Sequence, residues 1–343
     1  MKAAVLRGIK DLSIEDIEKP VIKKGEALVR IRAVGVCGSD VHYYLHGRIG
    51  DQVMKGGHIL GHEVAGEVAE VSDGVTNVKP GDRVAVEPGI PCGECEHCRS
   101  GRYNICPGII FFGTPPNMGA YKEFAAWPAE RLFPIPDSMS YAEGTLIETL
   151  AVGMYAASMP KSVRGCDAAV LGCGPVGLVT IKSLLALGVK RIFATDLIDN
   201  RLETARKQGN VLTVNASKKD PVGVIMKETG GRGVDLVFEA AGALDTYKQT
   251  VEAARIGGEA MWIGIPPEDY VSVEAHRLRR KELVIRAVRR FRDMYPKCID
   301  AVKNGSIVLK DLVTHEFTLD EIEKPFKLVE TYSDGIIKAI INI

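Results

Sequence analysis

The segment from Ala168 to Asp196 constrains this chain more than any other. Ala168-Ala169-Val170-Leu171 is an unbroken apolar run of strand length. It leads into Gly172-Cys173-Gly174-Pro175-Val176-Gly177, and a helical pattern follows from Leu178 to Leu187, stopped by Gly188. Three glycines at this spacing say little alone. Here they occupy a strand–turn–helix junction, with Pro175 suited to a first helical turn. Glycines so placed let backbone approach a pyrophosphate lying on the helix N-terminus. The next strand, Arg191-Ile192-Phe193-Ala194-Thr195, ends at Asp196, nineteen positions past Gly177. A carboxylate there would hold the adenosine ribose hydroxyls of a dinucleotide and repel a 2′-phosphate, which favours NAD.

Strand and helix patterns keep alternating beyond this point. Arg201 to Gln208 reads as helix, Val234 to Phe238 as strand, Leu244 to Arg255 as helix, and Glu259 to Ile265 and Glu282 to Val288 as further strands. Such alternation implies a doubly wound parallel sheet covered on both faces. Gly242 and Gly264, just past two strand ends, fall where a bound dinucleotide would lie. The basic run His276-Arg277-Leu278-Arg279-Arg280-Lys281 reads as a solvated turn. After Pro296 a helix to Lys303 and a mixed tail to Ile343 are expected to fold back on the first domain.

The first third has a different character. Ala27 to Ala33 alternates apolar and charged residues as a half-buried strand does, and Val64 to Val71 and Asp82 to Glu87 continue in kind. Turn clusters such as Lys79-Pro80-Gly81-Asp82 separate them, which points to a compact β-barrel-like domain. Pro128, Pro134 and Pro136 mark extended backbone before a helix from Ser140 through Glu148 to about Ser158. Glu148 stands in an apolar run, where a carboxylate either faces solvent or needs a partner.

Two groups of metal-ligand residues lie in this part. Two residues separate Cys92, Cys95 and Cys98 in succession, and seven separate Cys98 from Cys106. Three thiolates so spaced can wrap one face of a tetrahedral ion and the loop brings the fourth, as in a structural zinc lobe over residues 91–107. Two disulfides would require an oxidising compartment, and a redox pair would not require four cysteines. His97 is surplus to a four-cysteine site and is expected at the lobe surface. The second group is Cys37, at the end of one extended segment, and His62-Glu63, opening another. Thiolate, imidazole and carboxylate form a workable catalytic zinc set, although a single Cys or His is more often a core residue.

At 343 residues the chain has room for about two domains. Its 44 Lys plus Arg balance 44 Asp plus Glu, so nothing points to nucleic acid or anionic lipid as a partner. The longest apolar window, Ala168 to Ile181, is interrupted by glycine and ends at Lys182, unlike a membrane span. Met1-Lys2-Ala3-Ala4-Val5-Leu6 is too short and too soon charged for a secretory signal, so a cytoplasmic location is expected.

Taken in order, Cys37, Gly61-His62-Glu63-x-x-Gly66, the four-cysteine lobe and Gly172-x-Gly174-x-x-Gly177 with Asp196 resemble the zinc-dependent medium-chain dehydrogenase/reductase family over nearly the whole length. Within it, Cys37-Gly38-Ser39-Asp40-Val41-His42-Tyr43, Gly101 to Pro107, Phe111 to Pro116 and Leu146-Ile147-Glu148 are similar to the sorbitol (polyol) dehydrogenase branch. The resemblance implies an α/β fold with a GroES-like β-barrel catalytic domain, residues 1–150 and 290–343, and a Rossmann NAD-binding domain, residues 151–289. It implies two zinc ions per chain, the catalytic one held by Cys37, His62 and Glu63, with Glu148 binding directly or through water. Ser39 and His42 match proton-relay positions; Tyr43, Phe111 and Arg290 match positions of the polyol pocket. The cofactor would meet Gly172, Gly174, Pro175, Val176, Gly177, Asp196, Arg201, Gly242, Gly264, Val288 and Arg290. Implied too are a homotetramer and hydride transfer from a secondary hydroxyl of a sugar alcohol to NAD. A threonine or butanediol dehydrogenase is the alternative within the family, and a non-catalytic nucleotide-binding protein a remote one. Ser72 stands where the family signature usually has Gly or Ala, and Thr149 where polyol dehydrogenases often have proline.

Overall fold

A computed structural model describes residues Met1–Ile343, which divide into two compact units. The first comprises Met1–Thr149 and Tyr295–Ile343, and the second Leu150–Met294. The helix Tyr141–Ser158 carries the chain from one into the other.

The first unit is built on a seven-stranded sheet. Its strands lie in the order Leu132–Pro134, Arg83–Val86, Glu63–Val71, Glu26–Gly35, Lys338–Asn342, Val313–Thr318, and Phe124–Pro128 also pairs with Glu26–Gly35. The tail expected to fold back supplies the strand Lys338–Asn342, antiparallel to Ala33–Gly35. This pairs residues more than 300 positions apart in sequence, such as Ile340 with Gly35. Glu26–Gly35 buries all its apolar side chains, while Arg32 pairs across the sheet with Glu67 at 3.0 Å. Phe112 stacks on Trp127 with ring centroids 3.7 Å apart, and Tyr44 and Tyr121 both pack on Phe326 of the C-terminal segment.

After Cys37 the chain forms a helix, Gly38–His46. Cys37 occupies the N-cap position, and the Asp40 carboxylate accepts its backbone N–H at 3.3 Å, closing the first turn as a capping box does.

The second unit is a six-stranded parallel sheet in the order Val211–Asn215, Arg191–Asp196, Asp167–Leu171, Val234–Glu239, Ala254–Trp262, Val284–Ala287. That is the doubly wound Rossmann order, with the chain reversing direction at Asp167–Leu171. All five residues of that strand are buried, as a central parallel strand requires. The edge strand Val211–Asn215 and the helix Pro221–Glu228 add to the pattern read from sequence. The basic run expected as a turn is the helix Ala275–Lys281. Lys281 Nζ donates to the carbonyls of Val251, Glu252 and Ala254 at 2.9, 2.8 and 2.6 Å. A cation on the orphan carbonyls at the end of the helix Leu244–Ala253 answers its dipole, which is why this run folds onto the unit.

At the same end of the sheet, Asp235 accepts from Arg232 and from Arg255 Nε, both at 2.6 Å, and from the backbone N–H of Asp167 at 3.0 Å. Burial raises the pKa of this carboxyl, but the three donors outweigh it and hold the value down to about 2. A folded-state pKa below the unfolded one contributes stability that is complete above about pH 4 and fades as pH falls toward the folded value. Asp235→Asn is therefore expected to lose about 1–2 kcal/mol at neutral pH, allowing for solvent screening. Urea unfolding of the two proteins should converge between about pH 4 and pH 2. A gap that stays constant across that window would assign the loss to packing instead.

Candidate active site

Cys37, His62 and Glu63 come from the two sides of one strand pair. Gly35 and Glu63 are register partners at the ends of Glu26–Gly35 and Glu63–Val71, so Cys37 and His62 leave the sheet side by side. One ligand atom from each of the three residues lies within 4.8 Å of the others. His62 and Glu63 are buried and Cys37 partly so. Thiolate, imidazole and carboxylate at this spacing fit a zinc ion that keeps one position for water or substrate.

The surrounding residues orient this set. Asp40 Oδ1 stands 3.4 Å from His62 Nδ1, which leaves Nε2 as the nitrogen for a metal. Asp40 itself accepts from the Tyr121 hydroxyl at 2.9 Å and from Gly61 N–H at 3.4 Å. Burial works against charge on His62, but the Asp40 carboxylate and the Cys37 sulfur outweigh it and hold its pKa well above the ordinary value. On the other side, Lys338 Nζ reaches both Glu63 oxygens at 2.7 Å and Val36 O at 3.2 Å. Lys338 is 2% exposed and Glu63 1%. Thr149, in the proline position of many polyol dehydrogenases, donates its hydroxyl to Glu63 Oε1 at 3.1 Å.

Glu148 is buried but lies outside the compact three-residue set. Burial pushes its pKa up to about 7, with His62 and Lys338 opposing and Glu63 and Asp40 adding to the rise. Ser39 Oγ is 3.3 Å from Cys37 Sγ, and His42 is partly buried with its ring 5.9 Å from that of His46. Phe111 packs against His62 at a centroid distance of 5.7 Å, and the Tyr43 hydroxyl lies 3.4 Å from Gln52 Oε1. Asp40, Tyr121 and Lys338 are site residues that the sequence reading did not single out. Asp40 had a local signal, three positions past the N-cap Cys37. Lys338 had none.

All eight cysteines are free, and four of them cluster in the lobe. Sγ separations are 3.4 Å for Cys95–Cys98, 3.5 Å for Cys92–Cys106 and 3.9 Å for Cys92–Cys98. A tetrahedron with metal–sulfur bonds of about 2.3 Å has edges of about 3.8 Å, so the lobe fits zinc. Backbone N–H groups of Glu94 and Cys95 hold the Cys92 pKa down to about 6, whereas burial and the neighbouring thiols push Cys98 up to about 12. Four sulfurs this close ionise together only around a cation. His97 sits partly exposed beside Glu96.

In the second unit, a Cβ on Gly177 would collide with Gly172 O, so the helix Pro175–Ala186 packs on the glycine loop only through glycine. Gly174 is different: an added Cβ would meet only Arg201 Nη1, at 3.9 Å. Open space before Gly174, at a helix N-terminus, fits a pyrophosphate. Asp196 accepts from Cys173 N–H at 2.7 Å and from Ile198 N–H at 2.9 Å, which fixes its carboxylate beside that loop. Val288 N–H donates to Trp262 O at 2.8 Å, and Arg290 has a left-handed backbone, φ 53°.

A buried thiolate–imidazole–carboxylate set, a four-sulfur lobe and a Rossmann unit with an acidic residue after its second strand define a metal-dependent dehydrogenase. Residues 23–137 match the alcohol dehydrogenase GroES-like domain and residues 175–304 the zinc-binding dehydrogenase domain. Sorbitol dehydrogenase of Bacillus subtilis is 38% identical over 99% of this chain and 97% of its own. Among solved structures, an Escherichia coli oxidoreductase/dehydrogenase of unknown specificity superposes with a TM-score of 0.95, at 35% identity over 100% and 99% of the two chains. The 2R,3R-butanediol dehydrogenase of B. subtilis does so with 0.89, at 33% identity over 100% and 99%. The chain belongs to the zinc-dependent medium-chain dehydrogenase/reductase family. No helix is long and apolar enough to cross a membrane.

Proposed function

We propose that this chain oxidises a secondary hydroxyl of a sugar alcohol of the sorbitol or xylitol type to the ketose, with NAD as acceptor. The observation that carries the reading is the convergence of Cys37, His62 and Glu63, in a chain 38% identical to a sorbitol dehydrogenase. When bound, zinc supplies a Lewis acid that lowers the pKa of a hydroxyl, and NAD supplies the hydride acceptor.

The chain's own residues do the rest. Cys37, His62 and Glu63 would hold the catalytic zinc, and Glu148 would act from outside that set. Asp40 keeps the proton on His62 Nδ1, so the imidazole stays oriented for metal. Ser39 and His42 would pass the hydroxyl proton toward solvent, and Tyr43, Phe111 and Arg290 would line the pocket. Gly172, Gly174, Pro175, Val176 and Gly177 with Arg201 would cradle the dinucleotide phosphates, and Gly242, Gly264, Val288 and Arg290 its nicotinamide half. The fixed Asp196 carboxylate accepts ribose hydroxyls and repels a 2′-phosphate. Cys92, Cys95, Cys98 and Cys106 would hold the second, structural zinc. A cytoplasmic homotetramer completes the reading.

The deciding experiment compares kcat/KM for sorbitol, xylitol, threonine and 2,3-butanediol, with NAD and with NADP. A polyol with NAD should lead by at least about tenfold, since extra hydroxyls left without partners in a mismatched pocket cost 1–3 kcal/mol each. Preference for butanediol, supported by the 33% identity to a butanediol dehydrogenase, would replace the polyol and leave the metal site standing. Equal use of NADP would remove the role given to Asp196.

A further inference from the structure

One buried acid of the second unit has no part in the chemistry above. Glu239 closes the strand Val234–Glu239 and is 0% exposed. It is the register partner of Leu171 on one side and of Trp262 on the other. Its carboxyl therefore sits at the middle of three adjacent strand ends, at the edge of the sheet outside which ligands of such folds bind. Oε1 accepts the backbone N–H of Ala241 at 3.0 Å and of Gly242 at 2.7 Å, and Thr246 Oγ1 lies 2.7 Å from the same oxygen. Oε2 is buried with no hydrogen-bond partner.

The turn that this carboxyl holds touches both neighbouring loops. A Cβ added at Gly172 would come within 2.7 Å of Ala241 N and 2.9 Å of Ala240 C, so the phosphate-type loop rests directly on Ala240–Ala241. On the other side Gly242 packs against the backbone of Ile265. A Cβ on Gly264 would collide with both Gly242 N and Glu239 Oε2. Tyr247 ties the same corner from the first turn of the helix Leu244–Ala253, its hydroxyl donating to Gly264 O at 2.8 Å. The glycines at 242 and 264 are thus explained by mutual packing over Glu239. Ala241 is exposed and Gly264 half-buried above the carboxyl, so backbone, and not the acid itself, faces outward.

A buried carboxylate is unfavourable unless it does something that a hydrophobe could not. Here it is the one group that bonds the middle turn while filling the space under the third. We propose that Glu239 is a positioning residue for the dinucleotide: it locks the loops after three adjacent strands into one surface, so that cofactor affinity depends on it and hydride transfer does not. The inference rests on the second unit being the NAD-binding unit.

The test uses full-length, zinc-replete protein and NADH itself, titrated by its fluorescence. Glu239→Ala removes the acceptor of two backbone N–H groups, and should raise the Kd for NADH and the KM for NAD about tenfold or more. kcat should change less than about threefold, and KM for the polyol should stay put. Glu239→Gln keeps an acceptor oxygen in place and should restore Kd to within about threefold of the unmutated value. Thr246→Val removes one partner from a half-buried position and covers the case in which Glu239→Ala does not fold. It should weaken NADH binding about two- to fivefold with kcat unchanged. Unaltered Kd in folded Glu239→Ala, or in Thr246→Val, overturns the inference. So does a loss confined to kcat. Failure of the unmutated protein to bind NADH would instead overturn the reading of the unit.

Discussion

Replacing Cys95 by serine is expected to release one of two zinc ions per chain and to lower the thermal midpoint by about 10 °C or more. Structural zinc contributes to folding outright, because its site does not exist in the unfolded chain. The outer part of the lobe has little else to hold it. Its helix Glu96–Arg99 is a single turn with no buried residue, and Cys92 is exposed. Cys95 Sγ accepts the Cys98 N–H at 3.4 Å and faces Cys98 Sγ at the same distance, so a shorter, harder hydroxyl breaks both metal and turn geometry. Cys37→Ala, by contrast, should lose the other zinc and all measurable turnover while melting near the unmutated protein. Elemental analysis beside a melting curve separates the two variants. Two zinc ions retained in Cys95→Ser, or melting shared with the unmutated protein, would remove the structural role.

The second unit was the more legible in sequence, because each of its devices is local. Glycines at 172, 174 and 177, Pro175 and Asp196 fall within 25 residues and carry their own geometric reasons. The lobe was legible for the same cause, since its four cysteines lie within 15 residues. The elements of the second unit that sequence does not announce are short. Val211–Asn215 is a five-residue edge strand with three of its residues partly exposed, too short for periodicity to mark. Pro221–Glu228 did have a start signal, Asp220 capping Val222 and Gly223 with proline at the first helical position. Lys281 escaped because its three acceptors belong to residues 251–254, which sequence reading cannot bring near.

The metal set divides in the same way. Cys37, His62 and Glu63 stand out by residue type, and Asp40 sits one helical turn from Cys37. Of their neighbours, Tyr121 comes from the segment before the strand Phe124–Pro128, Thr149 from the helix Tyr141–Ser158 and Lys338 from the sheet, and no local pattern ties any of them to Asp40 or Glu63. The strand Lys338–Asn342 shows why: Ile340, Ile341 and Asn342 pair with Gly35, Val34 and Ala33. Only that register delivers a lysine to Glu63 across 275 positions.

Lys338→Met tests how much that delivery matters. Two buried charges with hydrogen bonds on both carboxylate oxygens approach the geometry in which an ion pair recovers its desolvation. Methionine fills nearly the same volume but leaves Glu63 with a full charge and only the Thr149 hydroxyl to answer it. Removing one partner of a buried pair costs about 3–5 kcal/mol, a large share of the stability of a domain. Urea unfolding should show that loss in protein stripped with a chelator. In zinc-replete protein the loss should be smaller, because an ion beside Glu63 takes over part of the neutralisation that Lys338 provided. Adding Glu63→Gln to Lys338→Met should recover most of the stability of the stripped protein, since the stranded charge is gone. Two results would refute the arrangement: a loss below about 1 kcal/mol in the stripped single variant, or an equal loss with and without zinc. The second result carries the further consequence that Glu63 is not a ligand, since a metal bound to its carboxylate could not leave the cost of losing Lys338 unchanged.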